Sequence, residues 1–415
     1  MKRIASLDQD RSVGAVFSNQ PSKLIIKSEW KDTILERILE FACSVDDFRR
    51  LSKGNFRHRL CDVITLMLFA RISKCVTRAE IIEFGRHNLN RLRKMGMFEN
   101  GIPSEPTLCR IEHGINDLAL ANRMQTFVKQ ICADSLRKDG DEAAVICIDG
   151  KAQCGTVLAN GRNPDIVSAY DPARGVILAT EACQEKSNEI KAVPLLINKI
   201  AISGKIITAD AMSMQTEIVD LIRNKGGDFV IELKANQRGL RYGVEDKIKR
   251  CVPVYSYSIG PELNHGRIET RTYRIYDGMD LIVDKEKWGG KMSVIEYLSD
   301  TIKKSTGEHS SEKRLYVSSL SPQSPMLGRY VRLHWSIESM HWGLDVNLLQ
   351  DDIKRKTSRS ARNLDTIQRI VYSTFSIWKM LRKKKVDKNK GIAQLMRSIS
   401  MGFTKLIRFL TQKIK

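Results

Sequence analysis

The strongest constraint on the fold comes from five short apolar runs between positions 143 and 234. They are AAVICID (143–149), IVSAYD (166–171), VILATEA (176–182), KIITAD (205–210) and DFVIELK (228–234). Continuous apolar runs of this length are typical of strands buried on both faces of a sheet. Helical spacing at 189–201 and 214–225 falls between them. Strands that alternate with helices predict an α/β sheet.

The segments on either side of this α/β region have different patterns. Helical spacing predicts an all-α N-terminal domain, and loss of that spacing after about residue 250 predicts a β-rich insertion. The predicted units are a loose arm (1–30), the helical N-terminal domain (31–140), the first part of the core (141–250), the insertion (251–325), a core helix (326–353) and basic C-terminal helices (354–415).

The N-terminal helices leave two interpretations open. Pro103 and Pro106 interrupt the chain, and Ser104 is well placed to cap the helix that follows. Several short helices joined by tight turns can include a DNA-binding helix-turn-helix, but a plain helical scaffold has the same pattern.

The charge of the chain indicates its partner. The formal net charge is +21, and a soluble chain this basic most often meets a polyanion, usually nucleic acid. The nine cysteines are scattered, with no C-x-x-C, which favours a reducing cytoplasm over a disulfide framework. No secretory signal is visible, and the apolar run at 63–72 is too short to span a bilayer, so we expect a buried helix there and no membrane partner.

Asp149 and Asp210 share a context, because each ends a predicted buried strand and is followed by a small residue. If the two strands are neighbours, the aspartates converge at one edge of the sheet. Their mutual repulsion is then relieved by a divalent cation, and oxygen ligands suit Mg²⁺ or Mn²⁺. The alternative is that either aspartate caps the next helix.

The stretch RLHWSIESMHWGLDV (332–346) carries a second constellation. On one helix of 100° per residue, His334, Glu338, His341 and Asp345 form a single stripe about 60° wide. Three interpretations are open: a zinc site formed by the histidines and Glu338, a packing seam with hydrogen-bonded polar residues, or a helix whose Glu338 completes a site with the two aspartates.

Several motifs together resemble a known family. They are IDGKAQCG (148–155), TADAMSMQ (208–215), LKANQ (233–237), NHGRIETR (264–271) and HWSIESMHWGLDV (334–346), and they occur in this order. They resemble the ISAs1-type insertion-sequence transposases, the group that includes the H-repeat-associated proteins. GIPSEPTLCR at 101–110 is similar to the N-terminal associated region of that family.

The resemblance implies a DDE transposase with an RNase H-like core. Asp149, Asp210 and Glu338 are then the catalytic carboxylates that hold two Mg²⁺ or Mn²⁺ ions. The implied reactions are strand cleavage at the element ends and strand transfer to target DNA by in-line displacement at phosphorus. The implied partners are double-stranded DNA, comprising terminal inverted repeats and target, and a second copy of the chain on that DNA. A catalytically inactive remnant that only binds DNA is the alternative.

The same resemblance suggests further contacts. Residues expected to touch DNA are Lys151, Lys234, Asn236 and Gln237 just beyond strand ends, His265, Arg267 and Arg271 along a predicted strand, and His334 and His341 beside Glu338. Ordinary surface positions and a salt bridge between Arg271 and Glu269 are the competing explanations. Trp335 and Trp342 are expected to pack the Glu338 helix on the sheet. Asp345 stands where related enzymes carry a lysine, and it is either a fourth ligand or a supporting residue.

Overall fold

The computed structural model describes residues 28–50, 57–135, 144–158, 161–183, 189–264, 266–282, 284–288, 290, 292–325, 327–382 and 385–414. The N-terminal helices are α1 (Ile34–Ser44), α2 (Leu60–Ile72), α3 (Arg78–Lys94), α4 (Glu105–Gly114) and α5 (Asp117–Ser135). Every residue of α2 is buried, as predicted for its apolar run. Ser104 occupies the N-cap position of α4, although its side chain makes no cap hydrogen bond.

The five apolar runs form the first five strands of a sheet. These are β1 (Val145–Ala152), β2 (Asp165–Asp171), β3 (Val176–Ala182), β4 (Ile206–Ala209) and β5 (Asp228–Leu233). β1, β2 and β3 are antiparallel neighbours, whereas β4 and β5 run parallel to β1. The order β3-β2-β1-β4-β5 is compatible with the predicted RNase H-like core. The connecting helices are α6 (Glu189–Lys199), α7 (Thr216–Asn224) and α8 (Arg238–Lys247).

The segment predicted as a β-rich insertion continues the same sheet. Its strands are β6 (Tyr255–Asn264), β7 (Arg267–Asp277), β8 (Ser293–Lys303) and β9 (His309–Ser318), and the short helix α9 (Gly278–Leu281) follows β7. β9 pairs antiparallel with β5, and the complete order is β3-β2-β1-β4-β5-β9-β8-β7-β6. These strands therefore widen the central sheet instead of forming a separate layer.

Helices cover both faces of the sheet because its strands are apolar on both sides. Cys147 packs into one core and its neighbour Ile148 into the other, as alternation along a strand requires. The first core holds the N-terminal helices together with α10 (Leu327–His334), α11 (Ser336–Leu348) and α12 (Ser358–Leu381). The second holds α6, α7 and α8. The N-terminal and C-terminal helices thus share one core with the sheet.

The C-terminal region is helical, as predicted, but its longest helix is not a basic surface. α12 is buried along most of its length, and even Arg369 is buried within it. The shorter helices α13 (Lys385–Lys388), α14 (Ile392–Ser400) and α15 (Phe403–Leu410) follow. The sequence RKKK at 382–385 is a basic run, and its Lys383 and Lys384 lie outside the described residues. Of the helices in the described ranges, none combines the length and apolar character needed to cross a membrane.

Candidate active site

Asp149 and Asp210 lie side by side where two adjacent parallel strands, β1 and β4, stop pairing with each other. In the pairing of β1 with β4, Ile148 lies opposite Ala209. Asp149 and Asp210 are the residues that follow these two in the sequence. β1 continues to Ala152, so Asp149 lies inside its strand and not at its end as predicted. Asp210 precedes a short 3-10 helix, but its side chain makes no cap hydrogen bond. The juxtaposition expected from the sequence is therefore observed, and the capping alternative for Asp210 has no support.

The Asp149 carboxyl group lies in an environment that disfavours its charged form. Burial raises its pKa to about 7, and the negative charges of Asp210, Glu189 and Glu338 act in the same direction. A hydrogen bond from the Gly150 N–H lowers this pKa but does not offset the rise. Three other carboxyl groups thus lie close enough to act on Asp149 at this part of the sheet. Carboxylate oxygens are the donor type that hard divalent cations prefer.

The stretch 332–346 forms two helices and not the single helix predicted. α10 ends at His334 and α11 begins at Ser336, with Trp335 between them. On α11 the Glu338 side chain is exposed whereas His341 is buried. The prediction of one continuous helix is therefore wrong. Even so, His334 and His341 both lie against the strands that carry the two aspartates, and Asp345 pairs with Lys151 of β1.

The two histidines face the active-site strands. His334 Nδ1 lies 3.2 Å from Thr208 Oγ1 on β4, and His341 Nδ1 lies 3.6 Å from Asp149 Oδ2. Burial and nearby positive charges lower the pKa of His334 to about 4 and that of His341 to about 3. Both imidazoles are therefore neutral at pH 7. Buried, neutral histidines favour packing against these strands over contact with DNA phosphates.

No preformed metal cluster is visible in the parts of the chain that the structure describes. Within them, no group of three or more His, Cys, Asp or Glu side chains is arranged to hold a metal ion. The zinc interpretation of the histidines and Glu338 therefore has no support. The acidic residues around Asp149 affect its pKa but do not yet meet at ligand distance, so cation binding there requires side-chain rotation.

The two tryptophans of this segment differ in their surroundings. Trp335 packs edge-to-face on Tyr297 of β8 at 5.3 Å between ring centroids, and the Arg332 guanidinium lies 4.7 Å from its ring centroid. Trp335 therefore packs the helices on the sheet, as predicted. The same prediction for Trp342 is wrong, because this side chain is 61% exposed. Trp342 lies one helical turn after Glu338, on the exposed face of α11.

Lys151 is held by two carboxylates. Its Nζ lies 2.9 Å from Asp345 Oδ1 and 3.0 Å from Asp351 Oδ2, and only 9% of its side chain is exposed. Burial raises the pKa of Asp345, and the lysine partly opposes this effect. The cluster connects β1, which carries Asp149, to the carboxyl-terminal end of the Glu338 helix. In this arrangement Lys151 and Asp345 support the site, and Lys151 is not free to bind phosphates.

Three predicted DNA contacts follow β5. Lys234 is exposed and forms an ion pair of 2.9 Å with a buried glutamate of β5. The amides of Asn236 and Gln237 donate hydrogen bonds of 2.6 and 2.8 Å to two carbonyl oxygens in the segment 211–214. The two amides therefore fix the backbone that follows Asp210, which is a structural role in addition to any contact with DNA.

The predicted contacts on β7 have different outcomes. His265 lies outside the described residues. Arg267 is exposed, but Arg271 is buried and paired with Glu262 on β6. Arg271 Nε also lies 4.0 Å from Glu269 Oε2. The salt-bridge explanation for Arg271 therefore fits the structure, and of the two arginines predicted to touch DNA, Arg267 is the exposed one.

Glu189 was missed by the sequence analysis. It is the first residue of α6, and its carboxylate lies against Gly150, next to Asp149. An acidic residue in the first turn of a helix is common, since it interacts favourably with the helix dipole. Nothing in the local sequence separates Glu189 from that ordinary case.

Comparison with known proteins identifies the family. The family described as "Transposase DDE domain" matches residues 161–374, which include Asp210 and Glu338, and "DDE_Tnp_1-associated" matches residues 39–128. The chain belongs to the DDE transposases of insertion sequences. This membership supports a DNA transposase role and an enzyme of the polynucleotidyl transferase or endonuclease kind.

The transposase is similar to relatives that match it over different lengths. The H repeat-associated protein YhhI of Escherichia coli (strain K12) is 31% identical over 379 residues, which are 88% of this chain and 96% of YhhI. "Inactive transposase YbfQ" of the same strain is 34% identical over 77 residues, 19% of this chain and 89% of that protein. The solved piggyBac transposase synaptic complex with hairpin DNA aligns with a TM-score of 0.43 at 11% identity, covering 93% of this chain and 79% of that one.

The raised pKa of Asp149 predicts a pH-dependent effect on stability. When an acidic group has a higher pKa in the folded state than in the unfolded state, the protein loses stability as the pH rises between these two pKa values. For Asp149 this range is from 3.8 to about 7. Asp149→Asn should therefore increase the metal-free free energy of unfolding progressively over this range, by at most about 4 kcal/mol above pH 7. Urea unfolding at pH 5 and pH 8 in the presence of a chelator measures the difference.

The exposed Asp220 on α7 provides the control for this experiment. Asp220→Asn should leave stability unchanged at both pH values. An equal effect of Asp149→Asn at pH 5 and pH 8 would contradict the electrostatic argument.

Proposed function

We propose that this transposase cleaves DNA at the ends of its element and joins the ends to target DNA, with Asp149, Asp210 and Glu338 holding divalent cations. The observation that carries the proposal is the register of β1 and β4, which brings Asp149 and Asp210 together near Glu338. Converging carboxylates repel one another, and a bound cation relieves the repulsion. Their oxygen-only donor set fits Mg²⁺ or Mn²⁺.

The residues around the carboxylates determine their positions. When bound, divalent cations supply activation of the attacking oxygen and stabilisation of the leaving oxygen in displacement at phosphorus. Lys151, with its two carboxylate partners, holds β1 against α11 and so fixes Asp149 relative to Glu338. The neutral imidazole of His341 packs beside Asp149 and adds no positive charge that would compete with a cation.

The DNA-binding surface follows from exposure and charge. Lys234, just after β5, and Arg267, on β7, are exposed cations, and Trp342 is an exposed aromatic one helical turn after Glu338. With a formal net charge of +21, phosphate contacts should dominate affinity and weaken steeply with salt. Because an element has two ends and each chain has one set of carboxylates, we expect two copies of the chain on DNA.

Trp342 should contribute to DNA binding by stacking on a base. Its ring is 61% exposed beside Glu338, and no described aromatic ring packs against it. Stacking of a base on an aromatic side chain contributes about 1–3 kcal/mol, so Trp342→Ala should weaken binding of end-containing DNA by about 10-fold or more. Fluorescence anisotropy at fixed salt measures the affinity.

Trp342→Phe provides the matched control, since it keeps an aromatic face and should retain most of the affinity. The thermal stability of both variants should match wild type because the side chain is exposed. Equal affinity of the alanine variant and wild type would exclude the stacking role.

The direct test of the proposed function is a cleavage assay on labelled duplexes with and without the element ends. We expect cleavage of the end-containing duplex only, dependent on Mg²⁺ or Mn²⁺ and abolished by a chelator. Binding without cleavage would favour the inactive DNA-binding alternative. Equal cleavage of both duplexes would indicate a nonspecific nuclease.

A further inference from the structure

Glu189 occupies an unusual position for the first residue of a helix. Its carboxylate lies directly over the Gly150 backbone, so that a Cβ at Gly150 would overlap it and stand 2.9 Å from Oε2. Gly150 follows Asp149 on β1. The absence of a side chain at position 150 therefore makes room for a carboxylate immediately beside Asp149.

A favourable interaction with the α6 dipole does not account for this arrangement. That interaction leaves a glutamate solvated, as for Glu217 in the first turn of α7, which is exposed. Glu189 is instead partly buried, and burial together with the charges of Asp210 and Asp165 raises its pKa. Among the described residues, no lysine, arginine or histidine forms an ion pair with Glu189. Within the described ranges, it thus faces other carboxylates and is paired with no cationic side chain.

A second feature of the same region indicates a ligand. His341 is only 9% exposed, and its Nε2 is buried with no hydrogen-bond partner in the described part of the chain. Its Nδ1 points toward Asp149 Oδ2 at 3.6 Å, beyond hydrogen-bond distance. Buried polar side chains in folded proteins almost always have partners. The His341 ring thus lies beside Asp149 with one buried nitrogen, Nε2, still without a partner, which fits a site that gains a ligand.

We propose that Glu189 is a fourth carboxylate of this site and binds a divalent cation together with Asp149 and Asp210. The inference rests on the proposed function, since it assumes a cation between the two aspartates. Binding requires the carboxyl groups to move closer together, with Glu189 staying over Gly150, because within the described ranges no three carboxylates already meet. The glycine at 150 permits the approach, since the carboxylate occupies the volume that a Cβ would take.

Cation binding to the full-length chain without DNA tests this inference. Mn²⁺ affinity is measured by electron paramagnetic resonance and by titration calorimetry. Glu189→Gln should weaken Mn²⁺ binding by about 10-fold or more, the scale seen when groups around a metal are removed. Gly150→Ala should have a similar effect because its methyl group displaces the Glu189 carboxylate, and the double variant should be no weaker than Glu189→Gln alone. Glu217→Gln, the matched first-turn control, should bind Mn²⁺ as wild type does.

Metal-free stability separates a ligand from a structural residue. Removing a carboxylate from a repelling cluster should raise the urea midpoint of Glu189→Gln, whereas loss of a useful helix-end charge should lower it. Wild-type Mn²⁺ affinity of Glu189→Gln would overturn the inference. In that case, Asp149→Asn shows whether the cation site or only the role of Glu189 is wrong. If Asp149→Asn also binds Mn²⁺ as wild type does, the proposed cation site itself fails. If Asp149→Asn binds Mn²⁺ more weakly, only the role of Glu189 fails.

Discussion

Replacing Asp210 by asparagine should lower the rate of divalent-ion-dependent DNA cleavage by about three orders of magnitude, which corresponds to about 4 kcal/mol of transition-state free energy. Asparagine has nearly the same shape but no negative charge, so it cannot balance a cation beside Asp149. The Asp210 side chain makes no helix-capping hydrogen bond that the substitution would break. DNA affinity should therefore stay within a few-fold of wild type while cleavage is lost.

Initial cleavage rates on a labelled end-containing duplex, and anisotropy with the same duplex, measure the two properties. Asp220→Asn, an identical change at an exposed position of α7, should leave both unchanged. If Asp210→Asn cleaves at the wild-type rate, Asp210 is not part of the catalytic site. A parallel loss of DNA affinity would show that the substitution disturbs folding around β4 and would require the conclusion to rest on Asp149.

The part of the fold that local composition determines was predictable. The five apolar runs became β1 to β5, because strands buried on both faces must be apolar throughout. Whether β1 and β4 are neighbours was left as a condition, and the structure shows that they pair in parallel. The convergence of Asp149 and Asp210 was therefore a hypothesis that depended on strand order, which the apolar runs do not encode.

The features that depend on distant contacts were not predictable. The pairing of β9 with β5 joins residues about 85 positions apart and turns an expected insertion into part of the central sheet. Glu189 lies beside Asp149 because α6 packs on β2 and β3 and places the side chain of its first residue over Gly150. Neither relation leaves a periodic signal in the sequence.

The segment 332–346 shows how a local pattern can mislead. A single helix was assumed, but the helix break at Trp335 separates His334 from the residues after it. Of the two tryptophans, Trp335 packs on the sheet whereas Trp342 faces solvent. Tryptophans at two nearby positions therefore have different surroundings. The packing of each helix on the sheet determines whether the side chain is buried or exposed.

The largest effect on stability should come from Arg369, which lies behind the active-site strands. This side chain is 1% exposed and donates hydrogen bonds to Asp365 Oδ2 at 2.6 Å and to Ser168 Oγ at 2.7 Å. Ser168 on β2 pairs directly with Asp149 in the sheet. A buried ion pair with additional hydrogen bonds thus connects α12 to β2, the strand that pairs with β1 at Asp149.

Arg369→Met should lower the free energy of unfolding by about 3–5 kcal/mol, because it leaves the Asp365 carboxylate buried without its cation. The variant Arg369→Met/Asp365→Asn should recover part of this loss, since it removes both charges and keeps an amide that can still pair with Gln350. Urea unfolding followed by tryptophan fluorescence measures all three proteins. If the double variant is less stable than Arg369→Met alone, the uncompensated charge is not the cause of the loss. The cost would then lie in the hydrogen bond to Ser168 and in the packing of the arginine stem, and Ser168→Ala would reproduce part of it.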